Sequence, residues 1–258
     1  MSRLLLTYYG DDFTGSTDAL EQLTLAGVRT MLFMSAPTRA RLARYPQLEA
    51  VGVAGMTRSM GPVAMEKELR PAFKKLKALG ARHVHYKVCS TFDSSPRIGN
   101  IGRVMELGAR IFRGAFIPVV VAAPALGRYT IFGQHFARFG IGSHGKIHRL
   151  DRHPSISRHP VTPMTEADLC RHLAAQTRMS VALFDILKMG LPELKPALRA
   201  MLAEKPGAVL FDAVTEADLK RIGKLMDGYV GTRPLFLVGS SGIEMALGAH
   251  WKDRKSVV

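Results

Sequence analysis

Two adjacent aspartates stand in a short turn bounded by glycines near the start of the chain. The segment reads YYGDDFTGSTDAL over residues 8–20, with Asp11 and Asp12 between Gly10 and Gly15. The glycine spacing is similar to that of a phosphate-binding loop, but the lysine of such loops is missing and two carboxylates would repel a phosphate. Ionised carboxylates accept strong hydrogen bonds from hydroxyl groups and also bind cations. The turn therefore favours a ligand with hydroxyls or a cation, and the open alternative is that one aspartate only caps a helix.

A second polar cluster follows an apolar run at residues 82–88. Lys87 lies near the carboxyl end of this run, and polar side chains follow it at Ser90, Thr91, Asp93, Ser94 and Arg97. Ser95 and Pro96 have the residue types preferred at a helix N-cap and first position, so the amides of a helix start are predicted here. Cations, hydroxyls and a positive helix end together suit a small anion that carries hydroxyls. The alternative is a capped helix with a solvated loop.

Arg58 is a third candidate, in the segment VGVAGMTRSM at residues 51–60. It follows an apolar run that ends near Gly55, and a guanidinium group can bind a carboxylate through two hydrogen bonds. By itself this signal is weak, because an arginine after a strand is common.

The histidines do not indicate a metal site. Five of them lie in one basic stretch, at His135, His144, His148, His153 and His159. None has the H-E-x-x-H spacing with its acidic partner, and the surrounding positive charge would repel a cation. We therefore expect no metal ligands in this chain.

The elements that must position these residues alternate along the chain. Strands are predicted at 3–9, 29–34, 50–54, 82–88, 116–122, 180–184, 207–211 and 234–238, and helices at about 18–26, 62–79, 97–112, 165–177, 192–204, 215–228 and 240–250. This alternation predicts a three-layer α/β fold with a mostly parallel sheet and flanking helices. Ligands of such sheets bind beyond the carboxyl ends of the strands, so the polar loops are expected along one edge.

One long stretch breaks the alternation. Residues 122–163 are rich in Gly, Pro, His and Arg, and YTIFGQHF within them suggests a hairpin. A break of this length inside a compact domain is more often functional than idle.

Composition excludes several classes of protein. The chain has 258 residues, of which 47% are hydrophobic and 22% charged, and no apolar run is long enough to span a bilayer. Two cysteines, Cys89 and Cys170, are too few for a disulfide framework, and we expect a cytoplasmic protein. The net charge of +15 would suit binding to a nucleic acid, but the basic residues are scattered and no nucleic-acid-binding motif is present. An anionic small molecule is therefore the preferred ligand.

Five segments in collinear order resemble the four-carbon acid sugar kinase family. They are GDDFTGSTD, VAGMTRS, YKVCSTFDSSPRIGNIG, APALGRYTIFGQHF and HPVTPMTEADL, and the match covers essentially the whole chain. The resemblance implies a Rossmann-like N-terminal domain that binds threonate, erythronate or their 3-oxo forms. It implies substrate contacts from Asp11, Asp12, Arg58, Lys87, Ser90, Asp93, Ser94 and Arg128. Asp12 is then a candidate general base or an orienter of the reacting hydroxyl.

The resemblance also predicts the domain organisation. Residues 1–250 are expected to form the acid-sugar-binding domain, with a tail at 251–258. The nucleotide-binding C-terminal domain of family members lies beyond the matched region. ATP and Mg²⁺ are implied for the complete family enzyme and not for this chain alone, so another chain could supply the nucleotide-binding domain, and a homo-oligomer is also open.

Other functions stay open at this point. They are a non-catalytic acid-sugar-binding module or remnant, a nucleic-acid binder, and a phospho-accepting receiver domain. The last lacks a phosphorylatable aspartate at the end of the third strand, since VGVAGMT has none.

Overall fold

A computed structural model describes residues 4–140 and 145–255, with side chains as far as residue 252. The described strands are β1 Leu6–Gly10, β2 Thr30–Phe33, β3 Ala50–Ala54, β4 His83–Lys87, β5 Ile117–Val120, β6 Arg128–Ile131, β7 Gln134–Arg138, β8 Ile147–Arg149, β9 Val181–Phe184, β10 Ala208–Phe211 and β11 Leu235–Gly239. Eight of them form one parallel sheet in the order β2-β3-β1-β4-β11-β5-β10-β9. The prediction of eight strands in a parallel sheet is confirmed.

Helices cover both faces of this sheet. They are α1 Phe13–Leu25, α2 Arg39–Leu42, α3 Pro62–Leu79, α4 Ile101–Phe112, α5 Leu169–Ala174, α6 Ile186–Met189, α7 Leu194–Ala203, α8 Glu216–Gly228 and α9 Gly242–Lys255. One apolar core joins the sheet to α1, α7, α8 and α9, and a second joins its other face to α3, α4 and α5. The three-layer α/β architecture is therefore confirmed.

Two predicted helix starts were wrong. Helix α1 begins at Phe13 instead of Asp18, because Asp12 is its N-cap and accepts a hydrogen bond from the Gly15 amide. Helix α4 begins at Ile101, where Asn100 is the N-cap. The helix amides that were predicted beside Lys87 are therefore absent from that place.

The Ser95 side chain closes a turn before α4. Its Oγ accepts from the amides of Arg97 at 3.2 Å and Ile98 at 3.0 Å, which is the local bonding that makes serine favourable in turns as well as at caps. The predicted N-cap of α4, Ser95, thus lies about one turn before the actual N-cap, Asn100. The last helix likewise differs from its prediction, since α9 continues to Lys255 and Trp251 is buried against the core.

A small antiparallel sheet of β6, β7 and β8 lies within the stretch at 122–163. The predicted hairpin is confirmed as β6 and β7. The Asp212 carboxylate, just after β10, accepts from the amides of Phe132 and Gly133 at the hairpin turn. The hairpin is thereby fixed at the carboxyl edge of the large sheet.

Strand β4 carries three buried basic side chains on the face towards α1, α8 and α9. His83 contacts Asp227 of α8, His85 contacts Glu244 of α9, and Lys87 contacts Asp18 of α1 at 3.1 Å. Buried polar and charged side chains are costly unless they are paired, and each of these three acids is the partner of one basic residue of β4. These pairs also hold three separate helices to β4.

We predict that Asp227→Asn destabilises the fold. Asp227 accepts from Arg82 at 2.9 Å and from His83 at 3.1 Å. Burial acts to raise the pKa of Asp227, but His83 and Arg82 outweigh it and hold that pKa well below its usual range. The free energy of unfolding should fall by about 3 kcal/mol at pH 7, because Arg82 loses its counter-charge and the buried His83 loses its charged hydrogen-bond acceptor.

Urea titrations at pH 7 and at successive values below pH 4 measure this effect. Because the pKa of Asp227 is lower in the folded chain than in the unfolded chain, its ionised form stabilises the fold. This contribution to the free energy of unfolding is full above the unfolded pKa of about 3.9 and is lost as pH falls through the folded pKa. The difference in free energy of unfolding between Asp227→Asn and wild type should therefore decrease as the pH is lowered. The exposed Glu204→Gln is the control and should change stability by less than about 0.5 kcal/mol. A gap that does not depend on pH would contradict the ion-pair explanation.

Candidate functional site

The carboxyl ends of β1, β3 and β4 form one continuous backbone platform. Gly10 is in register with Ala54 and with Lys87. Beyond the strands the Gly55 amide donates to the Gly10 carbonyl at 3.0 Å, and the Asp11 amide donates to the Lys87 carbonyl at 2.9 Å. Side chains from three separate loops therefore leave the sheet at one place.

Arg58 joins both aspartates of the first turn. Its Nε and Nη2 donate to the two oxygens of Asp11 at 3.1 and 2.8 Å, and its Nη1 lies 2.8 Å from Asp12 Oδ2. The Arg58 amide also donates to the Asp11 carbonyl at 3.0 Å. The guanidinium group, which was expected to face a ligand carboxylate, is thus shared between two carboxylates of the chain itself.

Asp12 has two roles in this arrangement. One carboxylate oxygen accepts from the Gly15 amide at 2.6 Å and caps α1, while the other faces Arg58. Asp11 is buried, whereas the Asp12 side chain keeps 30% of its surface exposed. Of the pair, Asp12 is therefore the carboxylate that a ligand can reach.

Lys87 reaches the same place from β4. It is almost completely buried, and its Nζ donates to the Val88 carbonyl at 3.1 Å and contacts Asp18. A Cβ added at Gly15 would lie 3.4 Å from Lys87 Nζ and 3.8 Å from Arg58 Nη2. The missing side chain of Gly15 thus leaves room where the two cations converge.

The charges at this edge are mutually dependent. Burial raises the pKa of Asp11, and the Arg58 guanidinium opposes that rise. Burial acts to lower the pKa of Arg58, but the Asp11 carboxylate outweighs it and the pKa of Arg58 is raised. The guanidinium therefore keeps its proton, and both oxygens of Asp11 accept from it, which is the geometry of an ionised carboxylate.

Asp93 adds a third carboxylate from the loop after β4. It accepts from the Thr91 hydroxyl at 2.6 Å and from the Thr162 hydroxyl at 3.3 Å. Burial acts to raise the pKa of Asp93, but the Thr91 hydroxyl and the nearby Arg58 charge outweigh it and the pKa falls. Asp93 is therefore ionised beside the Arg58 cluster.

The loop that carries Ser90 and Asp93 has a constrained backbone. Phe92 is completely buried and has a left-handed φ of 55°, which a bulky side chain rarely adopts. Its amide donates to the Cys89 carbonyl, and the ring packs near His172. His135 of the hairpin donates from Nε2 to the Ser90 carbonyl at 2.8 Å. As a ligand contact, the Ser90 side chain stays a prediction, since it does not line the cleft described below.

Two predicted site residues make contacts elsewhere. The Ser94 hydroxyl contacts His172 Nε2 at 2.8 Å and accepts from the Gln176 amide at 2.9 Å. Arg128 Nη1 donates to the carbonyls of Leu126, Gly127 and Arg138 in the hairpin. Arg128 Nε is buried and has no partner among the described residues. As ligand contacts, both residues stay predictions.

A cleft of about 390 Å³ opens over this cluster. Its polar lining comes from Asp11, Asp12 and Arg58, together with His159 and Thr162 of the irregular stretch. Exposed Phe13, Met56 and Val161 form an apolar rim. In the sequence, His159 stood out only as one of five clustered histidines, and no motif pointed to Thr162 as a site residue. Both lie in the segment HPVTPMTEADL.

The carboxylates of the cleft are engaged by cations and hydroxyls of the chain. In residues 4–140 and 145–255 no three His, Cys, Asp or Glu side chains form a group suited to a metal ion. The side chains that line the cleft include both hydrogen-bond donors and acceptors, which suit an organic polar ligand. None of the described helices is both long enough and apolar enough to cross a bilayer.

Fold and cleft define a parallel α/β domain that binds a small polar molecule beyond the carboxyl ends of its strands. Residues 6–247 match the family model described as a sugar-binding N-terminal domain, and the chain belongs to this family.

Named relatives have related activities. The chain is 47% identical to the 3-oxo-isoapionate kinase of Paraburkholderia graminis, over 97% of this chain and 52% of that protein. It is 36% identical to the 3-oxo-tetronate kinase of Methylobacterium radiotolerans, over 95% of this chain and 54% of that protein. A solved structure from Salmonella typhimurium LT2 superposes with a TM-score of 0.81 at 26% identity, over 96% of this chain and 56% of that one. The chain thus spans about half the length of the curated relatives it matches.

We predict that acid weakens the fold through His135. Burial lowers the pKa of His135 to about 4, the nearby Arg128 charge acts in the same direction, and the hydrogen bond from Nε2 to the Ser90 carbonyl opposes them. Nδ1 accepts from the Thr130 hydroxyl at 2.8 Å. The unfolded chain binds a proton near pH 6.5 and the folded chain does not, so stability is full above that value and is lost as pH falls towards 4. Each pKa unit corresponds to about 1.4 kcal/mol.

To test this prediction, the free energy of unfolding is measured for wild type and His135→Gln between pH 7.5 and 4.5. The variant should lose less stability over that interval than wild type, whereas His148→Gln, at a partly exposed histidine, should follow wild type. Identical pH slopes for His135→Gln and wild type would refute a neutral buried His135.

Proposed function

We propose that this chain is the sugar-acid-binding part of an ATP-dependent kinase that phosphorylates a hydroxyl of a 3-oxo sugar acid. The observation that carries the proposal is the meeting of Arg58 with Asp11 and Asp12 in the lining of one cleft. Lys87 approaches Arg58 at Gly15, and Asp93 accepts from Thr162 of the same lining. The family match and the kinase names of the relatives support it.

The proposed binding mode divides the ligand into two ends. The ligand carboxylate binds Arg58 and Lys87, since cationic donors form the strongest hydrogen bonds with carboxylates. The ligand hydroxyls donate to Asp12 and Asp93 and contact Ser90. Because Arg58 already binds Asp11 through two hydrogen bonds and forms an ion pair with Asp12, the ligand carboxylate replaces Asp12 at Nη1. Asp12 is then released to orient a ligand hydroxyl.

Transfer of a phosphoryl group depends mainly on positioning of the acceptor hydroxyl and on charge stabilisation. In the proposed enzyme, Asp12 orients the acceptor hydroxyl. A nucleotide-binding domain of the kind expected in the family supplies ATP and its Mg²⁺. That domain completes the enzyme from another segment or another chain, and a homo-oligomer stays a prediction.

Among ligands, we rank a 3-oxo-isoapionate first and a 3-oxo-tetronate second. The ranking follows the 47% and 36% identities of the two named relatives. The four-carbon acids expected from sequence are thus kept as the second choice.

Isothermal titration calorimetry of the chain with both 3-oxo acids tests the proposal. The acids are prepared immediately before use because 3-oxo acids readily lose CO₂. We expect saturable binding, and Arg58→Lys should weaken it about 10-fold or more, since lysine cannot reproduce the planar fork. Asp12→Asn keeps a good helix cap and should weaken binding about 10-fold through loss of the charged acceptor.

Glu204→Gln, an exposed change, serves as the control and should bind as wild type does. No binding of any sugar acid by wild type would refute the proposal. Binding followed by no ATP consumption, even after addition of the nucleotide-binding half of the Paraburkholderia relative, would favour a non-catalytic binding module.

Gly15→Ala should separate binding from folding. The new methyl carbon would lie 2.7 Å from Asp12 Oδ1, so the Asp12 side chain must move, and it would fill the space next to Lys87 Nζ at 3.4 Å. We expect at least about 10-fold weaker binding by calorimetry, which corresponds to about 1.4 kcal/mol.

Gly228→Ala is the matched control, because a Cβ at Gly228 of α8 meets no atom within 4 Å. It should bind the sugar acid normally. Normal binding by Gly15→Ala as well would mean that the space between the two cations is not part of the site.

A further inference from the structure

His159 lies in the wall of the cleft, opposite the first turn of the chain. It lines the cleft together with Asp11, Asp12 and Arg58, and it is partly exposed. Its Nδ1 lies 3.1 Å from the Thr162 hydroxyl, which donates to Asp93, so the ring lies near the third carboxylate. No role was assigned to this residue by the sequence motifs or by the binding mode above.

Local hydrogen bonds determine which ring nitrogen of His159 carries the proton. The Thr162 amide donates to His159 Nδ1 at 3.1 Å. A nitrogen that accepts a hydrogen bond carries no proton, so in the neutral ring the proton is on Nε2. The Thr162 hydroxyl, which is also 3.1 Å from Nδ1, then has its own proton free for Asp93 Oδ2 at 3.3 Å.

This arrangement leaves Nε2–H as an unused donor. Among the residues that the structure describes, none accepts a hydrogen bond from His159 Nε2. Val161 and Thr162, which follow in the same turn, also line the cleft. The ring is thus anchored on one side and presents a neutral donor on the other.

The charged residues of the site do not supply a neutral donor that is fixed in direction, and hydroxyls such as those of Thr14 and Ser59 can rotate. Asp11, Asp12 and Asp93 only accept, so they suit hydroxyls, while Arg58 and Lys87 are cations that suit a carboxylate. A ketone oxygen accepts hydrogen bonds and has no proton to give. It needs a donor that the ligand carboxylate does not already occupy.

We propose that His159 Nε2–H donates a hydrogen bond to the 3-oxo oxygen of the bound acid and thereby makes His159 a specificity-determining residue. This inference rests on the proposed function. A 3-hydroxy acid can also use its hydroxyl as a donor to Asp93 or Thr162, so it depends less on His159. The wild-type chain should therefore bind a 3-oxo acid more tightly than the matching 3-hydroxy acid.

The test compares His159→Asn with His159→Gln, in the intact chain, by titration calorimetry with both acids. The Gln amide can reach the position of Nε2, whereas the shorter Asn amide reaches only that of Nδ1. We expect His159→Asn to weaken binding of the 3-oxo acid about 10-fold, the scale of one hydrogen bond lost in a desolvated site, and to change binding of the 3-hydroxy acid less than 3-fold. His159→Gln should restore most of the loss.

His148→Asn is the control, since that histidine lies in the same stretch but does not line the described cleft. Thermal unfolding of each variant shows that it is folded. Equal losses for the two acids, no loss for either, or no rescue by His159→Gln would overturn the inference. Absence of sugar-acid binding by wild type would instead refute the proposed function, so the two failures are distinguishable.

Discussion

A buried charge must be paired with an opposite charge, and for Asp11 at the carboxyl end of β1 that partner is Arg58. The guanidinium group binds the buried Asp11 through two hydrogen bonds and forms an ion pair with the more exposed Asp12. The loop after β3 is thereby held against the loop after β1. Removal of Arg58 would leave two adjacent carboxylates without the cation that they share, so the shape of the site depends on its electrostatics.

The same constraint extends into the core along β4. Its inward basic residues His83, His85 and Lys87 meet acids from α8, α9 and α1 respectively. The central strand therefore couples the packing of three helices to the position of Lys87 at the cleft. A binding residue on a rigid strand is placed more accurately than one on a loop, which is an advantage for recognition of a small anion.

Much of the fold could be predicted from sequence, because strand and helix patterns depend on near neighbours. All eight strands of the large sheet, α3 with its Pro62 start, and the hairpin were found in this way. Helix starts were less certain, since Ser95 and Asn100 both have cap chemistry and only packing selects between them. For the site, the sequence indicated that Asp11, Arg58 and Lys87 lie along one edge, because parallel strands bring their carboxyl ends together.

By itself the sequence determined the α/β alternation, the edge that carries the polar loops, and the mixture of acids and cations there. Only the tertiary structure decided which of these charges bind each other and which side chains remain for a ligand. It directed Ser94 towards His172 and Gln176, and it brought His159 and Thr162 beside Asp93. The physical reason is that local pattern reports the conformation of neighbours along the chain, whereas the pairing of buried charges is settled by distances between segments remote in sequence.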